Sequence, residues 1–228
     1  MRLLHISDLH IHESMADNAG VLKRLAYIRE HYPRHVLVVT GDVTDDGSEK
    51  QYENAMHILP PGAYICPGNH DYGYAGNLYD PSKARRFGQY LPQSGKYGRR
   101  PVVDRIDNVV LIGLDSCLRT VSPHDMACGK IEWLQRFFLS RVLKRYQDSM
   151  KIVYFHHHPF DRSPWMGMKD AEKLLKVCRD CELLLFGHKH KAQQWMTMAA
   201  AGNLSECSTV TEITVLSGRF ELNQVPVI

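Results

Sequence analysis

Two carboxylates, one amide and a set of imidazoles recur at the same kind of place in this chain: just after a short apolar run. Asp8 and His10 follow the run 3–7, Asp42 follows 36–40, and Asn69 and His70 follow 63–66 and the turn-forming pair Pro67-Gly68. His156, His157 and His158 follow 151–155, and His188 and His190 follow 182–186. An Asn and a His at the end of a buried strand need polar partners or a metal. An oxygen and nitrogen ligand set without thiolate suits Mn, Fe, Co, Ni or Zn better than calcium or a structural zinc. These groups are too many for one ion. They suffice for two if a carboxylate bridges, and paired ions clamp the attacking and leaving oxygens of an in-line displacement at phosphorus.

The elements that must position these residues are short. Residues 3–7 read as a strand, 17–31 as a helix, and 36–40 as a continuous β-branched run of the kind buried on both faces of a parallel sheet. A helix over 48–59, with Ser48 as a possible N-cap, and a strand over 63–66 continue the alternation. Strands at 109–114, 151–155 and 182–186 follow, with helices over 81–91, 129–146 and 170–178. The 129–146 helix is expected to bury Ile131, Trp133, Leu134, Phe137, Phe138 and Val142. The tail alternates over 209–216 and 220–225, which predicts antiparallel strands. In open α/β sheets ligands gather outside the carboxyl ends of strands, so residues 8 to 190 can share one locus. Alternation along extended backbone would set Asp8 beside His10 and His188 beside His190.

With 228 residues, 44% hydrophobic and 23% charged, the chain has ordinary globular composition, and one domain over 1–228 is expected. A net charge of +3 without a basic run does not point to nucleic acid. The first residues enter a strand pattern at once, with no long apolar leader and no span long enough for a bilayer, so a soluble cytoplasmic protein is expected. Cys178-x-x-Cys181 lacks a second such pair, so Cys66, Cys117, Cys128, Cys178, Cys181 and Cys207 are read as reduced thiols.

Each short motif alone would read as a loop. Together, Asp8-x-His10, Gly41-Asp42, Gly68-Asn69-His70-Asp71, His156-His157-His158-Pro159 and Gly187-His188-Lys189-His190 resemble, in order, the motifs of the calcineurin-like metallophosphoesterase superfamily. His156-His157-His158-Pro159 and Gly129-x-Ile131-x-Trp133-Leu134 look most like the branch of class III cyclic-nucleotide phosphodiesterases and glycerophosphodiesterases. The resemblance implies an α/β fold, a four-layer αββα sandwich of two mixed sheets flanked by helices, with two divalent or transition metal ions (Mn, Fe or Zn) at the strand ends. Asp8, His10, Asp42 and His190 would hold one ion, and Asp42, Asn69, His156 and His188 the other. A hydroxide between them would attack phosphorus, and His70 would protonate the leaving oxygen. Asp45 is the expected orienter of His70 through its carboxylate, with Asp71 as competitor. Strand alternation would put His158 on the side of His156, within reach of substrate.

The resemblance implies a small phosphoester substrate, in first place a phosphodiester, with cyclic nucleotides among the candidates. A phosphomonoesterase, a nuclease, a pyrophosphohydrolase and a non-catalytic scaffold are the alternatives. The Tyr- and Arg-rich stretch 72–105 is placed to form a cap, where Arg85, Arg86, Arg99 or Arg100 could hold phosphate oxygens. His12 and His124 are loop candidates for substrate contact, and His5, His31, His35 and His57 are read as structural. No second substrate-binding domain is expected after His190, and a homodimer is compatible with the sequence.

Overall fold

The computed structural model describes residues 1–73, 79–91, 97–120, 122–125, 127–216 and 218–228. Tyr74 and Lys96 of the basic, aromatic stretch lie outside the described residues. Strands β1 (Arg2–Ile6), β2 (Val36–Thr40) and β3 (Tyr64–Cys66) run parallel, and β10 (Thr209–Leu216) and β11 (Arg219–Pro226) extend the sheet antiparallel in the order β11-β10-β1-β2-β3. The second sheet has the order β4-β5-β6-β7-β9-β8, with β4 (Val102–Ile106), β5 (Val109–Gly113), β6 (Met150–Tyr154), β7 (Leu183–Phe186), β8 (Gln193–Trp195) and β9 (Met198–Ala200).

Because side chains alternate along a strand, each strand feeds two apolar layers. Leu3, Val38, Leu111, Ile152, Leu183 and Leu185 pack between the two sheets. Leu4, Ile6, Leu37, Val39 and Ile65 face outward, against α1 (Ala19–His31), α2 (Glu49–Ile58) and α4 (Pro81–Tyr90). Val110, Ile112, Val153, Leu184 and Phe186 face the other way, against α5 (Trp133–Arg145) and α6 (Ala171–Val177). The result is the four-layer αββα sandwich of two mixed sheets. Ser48 caps α2, accepting from the Gln51 backbone N–H at 3.4 Å, and Asp80 caps α4 ahead of Pro81. Among the described residues no helix is long and apolar enough to cross a membrane.

One helix departs from the expectation. α5 begins at Trp133, and Gly129 instead bridges Cys117 and Met168, at a spot where a Cβ would lie 2.4 Å from the His157 ring. Its buried positions are Gln135, Leu139 and Leu143, whereas Trp133 is 66% and Phe137 44% exposed. The apolar residues of α5 wrap most of its circumference, so periodicity could not choose the face. The choice falls on Gln135, a polar residue whose amide accepts from Asp115 N at 2.9 Å and donates to Asp115 O at 3.0 Å. Phe137 and Phe138 lie under the guanidiniums of Arg141 and Arg100. Leu139→Ala should therefore lower stability by about 2–5 kcal/mol, and Trp133→Ala by less than about 0.5 kcal/mol, in urea unfolding. The reverse ranking would contradict this orientation of the helix.

Candidate metal centre

The sequence-selected residues meet at the carboxyl ends of β1, β2, β6 and β7 and in the short helix α3 (Asn69–Tyr72). Strand alternation does not bring them together, because the strands have already ended. Asp8, His10, Asp42, His188 and His190 have left-handed backbone, with φ of 54°, 45°, 49°, 76° and 54°. Among the described non-glycine residues only Asp107 shares this conformation, in the turn before β5. Such a backbone is disfavoured for side chains with a Cβ by about 1–3 kcal/mol each. The turns are held by backbone bonds between loops: Asp8 N–H to Gly41 O, Leu9 N–H and His10 N–H to Asp42 O, and Gly187 N–H to His156 O. Gly68 and Gly187 allow the loops to approach closely, since a Cβ at Gly68 would strike Asp42 Oδ1 and one at Gly187 would strike Ser7 Oγ.

Two groups result. Asp8, His10 and His190 form one, with His10 Nε2 and His190 Nε2 3.1 Å apart and Asp8 Oδ1 3.4 Å from His190 Nε2. Asp42, His156 and His188 form the other, where His156 Nε2 lies 3.1 Å from Asp42 Oδ2, 3.1 Å from Asn69 Oδ1 and 3.2 Å from His188 Nδ1. Asp42 Oδ2 also lies 4.0 Å from His10 Nε2, between the two groups. His188 and His190, expected side by side by alternation, thus lie in different groups.

The proton inventory tests whether a cation fits. His156 Nδ1 is 2.7 Å from the carbonyl of Thr40, and His188 Nε2 is 3.2 Å from the carbonyl of Met166. A carbonyl only accepts, so both ring nitrogens are N–H donors, and neutral rings then turn lone pairs from His156 Nε2 and His188 Nδ1 toward the Asp42 carboxylate. A carbonyl behind each imidazole is the usual support of a metal-ligating histidine. Asp8 Oδ1 is buried without a hydrogen-bond partner. The donor set, oxygen and nitrogen without thiolate, therefore fits divalent or transition-metal cations.

Without cations, protons take over part of that task. Burial opposes charge on His156, but Asp42 and Asp8 outweigh it and raise its pKa to about 9. Burial likewise works against ionised Asp42, which His156 and His70 nevertheless hold well below the usual carboxylate range. Burial and the charge of His156 push His188 down to about 4.

His70 lines a cavity of about 230 Å³ with Asp42, Asn69, Ala127, Met166, His188, Lys189 and His190. A larger hollow of about 530 Å³ beside Met1, Asn108 and Leu216 contains none of the candidate ligands. The His70 backbone N–H donates to Asp42 Oδ1 at 2.9 Å, and its Nδ1–H donates to the backbone carbonyl of Asp45 at 2.6 Å. Asp45 thus touches His70 through its main chain, while its carboxylate lies 3.7 Å from His10 Nδ1 and 3.6 Å from His12 Nδ1. Asp71 makes no such contact. Its buried carboxylate accepts from Gly68 N, Val43 N, Thr44 N and Thr44 Oγ1, which fixes the turn.

His158 and the four arginines expected at the substrate lie away from the cavity. Tyr154 ends β6, so alternation stops before His158, whose ring packs on Phe186, Phe160 and Trp195. Arg85 bonds the Pro81 carbonyl, Arg86 the Gly47 carbonyl, Arg100 covers Phe138, and Arg99 is exposed; none of the four lines the cavity. Sequence reasoning missed Ala127 and Met166, which carry no chemical signal, and Lys189, which its place between His188 and His190 could have revealed.

The calcineurin-like phosphoesterase family model matches residues 1–192. The chain is 27% identical over 182 residues to a 3',5'-cyclic-nucleotide phosphodiesterase of Nostoc sp., covering 75% of this chain and 61% of that protein. It is 27% identical over 210 residues to a probable glycerophosphodiester phosphodiesterase of Arcobacter nitrofigilis, covering 84% of this chain and 72% of the relative. Purple acid phosphatase PPD1 from yellow lupin seeds shares the fold with a TM-score of 0.64 at 12% identity, over 94% of this chain and 49% of that one.

Asp42→Asn should abolish uptake of both equivalents of Mn and the metal-induced rise in melting temperature, whereas His70→Ala should keep both. Metal analysis of the reconstituted variants checks this, and equal retention or equal loss in the two would contradict the assignment.

Proposed function

The chain belongs to the calcineurin-like phosphoesterase family, and from that premise we propose that it is a dinuclear metal-dependent phosphodiesterase acting on a small phosphodiester. The observation that carries this reading is the convergence of acceptor atoms from Asp8, His10, His190, Asn69, His156 and His188 around Asp42. Divalent cations held there, Mn, Fe or Zn, would supply Lewis acidity to the phosphoryl oxygens and lower the pKa of water.

The chain's own residues supply the rest. With His70 Nδ1–H bound to the Asp45 carbonyl, Nε2 is left for the cavity, and a protonated His70 can give a proton to the leaving oxygen. The Asp45 carbonyl sets that ring's orientation, and Asp42 Oδ1 anchors its backbone. Apart from the cations, side-chain charge favours a diester over a monoester. Among the described residues Lys189 is the only cationic side chain besides histidine on the cavity lining, and Asp161 pairs with it at 2.9 Å. A monoanionic diester asks less of such a site than a dianionic monoester. The six free cysteines suit a reducing cytoplasmic setting.

Mn-loaded protein should hydrolyse bis(p-nitrophenyl) phosphate with higher kcat/KM than p-nitrophenyl phosphate, and His70→Ala should slow diester turnover by about 100-fold to 10,000-fold at unchanged metal content. A monoester preference would favour the phosphomonoesterase reading, and absence of turnover on any phosphoester would favour a binding scaffold.

A further inference from the structure

The metal-side cavity holds about 230 Å³, whereas sites that enclose a whole small molecule run to about 300–1,000 Å³. It can take a phosphoryl group, but whatever that group esterifies must lie across the lip. One side of the lip is built by the turn 163–168. Met166 and Ala127 are the apolar residues of the lining, and Trp165, next to Met166, is 47% exposed.

A lone exposed tryptophan needs no explanation, but the backbone of this one is tied to the segments beside the candidate ligands. Trp165 O accepts from Ala127 N–H at 3.0 Å, Gly167 N–H donates to Ser163 O at 2.8 Å, and Gly129 N–H donates to Gly167 O at 3.2 Å. Trp165 N–H donates to Ser163 Oγ at 3.2 Å, and Cys128 Sγ reaches the Pro164 carbonyl at 3.3 Å. Lys169 pairs with Asp125 and ties the turn to the 122–125 loop, whose His124 ring lies 6.4 Å from the Trp165 ring at a 36° tilt. Met166 O accepts from His188 Nε2, so the same turn that presents the indole also orients a candidate ligand. Gly167 permits its tightness, because a Cβ there would meet Ser163 O at 2.5 Å.

We propose that Trp165, with His124 beside it, is a specificity-determining platform on which a planar heteroaromatic group of the substrate stacks while its phosphoryl group occupies the cavity. The inference rests on the phosphodiesterase reading and adds the residues that would select, among its candidate substrates, phosphodiesters carrying a nucleobase-like ring. A preorganised π-face favours a planar partner over a hydrated aliphatic headgroup, and loss of one base–aromatic stack weakens binding by roughly tenfold to a hundredfold.

The test compares Mn-loaded wild type, Trp165→Ala and Trp165→Phe on cyclic AMP, which has a ring, and on glycerophosphoethanolamine, which has none. Trp165→Ala should lose about tenfold to a hundredfold in kcat/KM on cyclic AMP and leave glycerophosphoethanolamine unchanged, and Trp165→Phe should recover most of the loss. AMP should also quench tryptophan emission in wild type and in Trp133→Phe, but not in Trp165→Phe. Equal losses on both substrates, or a quench that survives in Trp165→Phe, would overturn the platform. If wild type cleaves neither diester, the phosphodiesterase reading fails, and the quench alone still decides whether a planar ring binds at Trp165.

Discussion

Asp42, Asn69, His156 and His188 point acceptor atoms at one another in the protein interior, and the two imidazoles have already committed their N–H groups to the carbonyls of Thr40 and Met166. Opposed lone pairs and a buried carboxylate are tolerable only with positive charge among them. A proton on His156 serves in the absence of metal, which accounts for a pKa raised to about 9 against burial. Cations held there would also engage Asp8 Oδ1, which is buried with only His190 Nε2 nearby, at 3.4 Å.

Holding these atoms together requires a backbone that most residues avoid. Left-handed turns at Asp8, His10, Asp42, His188 and His190 together represent several kcal/mol of local strain. The two-sheet core supplies the compensation. Leu3, Val38, Ile152 and Leu185 fill the space between the sheets and fix where each strand stops. Gly68 and Gly187 then admit neighbouring loops so closely that a methyl group at either would strike Asp42 Oδ1 or Ser7 Oγ. Rigidity at the strand ends and strain just beyond them are thus two sides of one design, in which the sandwich over-determines the ligand positions.

Much of this was legible in the sequence, for identifiable reasons. Strands such as 36–40 are apolar on both faces because both faces are buried, and the ligand residue types announce themselves at the strand ends. What stayed hidden depends on groups that residue type does not encode. The contact between Asp45 and His70 is made by a main-chain carbonyl, which every residue possesses, while the Asp45 carboxylate lies beside His10. Gln135 is buried because both ends of its amide find the Asp115 backbone, a pairing invisible to periodicity. Arg85, Arg86 and Arg100 advertise charge, but their partners are carbonyls and an aromatic ring away from the cavity.

Asp42 is placed to join two cation sites into one centre, its Oδ2 lying 3.1 Å from His156 Nε2 and 4.0 Å from His10 Nε2. Electron paramagnetic resonance of the protein titrated with Mn(II) reads whether Asp42 does so. Two equivalents should give the broadened spectrum of a spin-coupled pair, as expected for ions about 3.5–4 Å apart. Saturation at one equivalent, or two independent six-line signals, would contradict it.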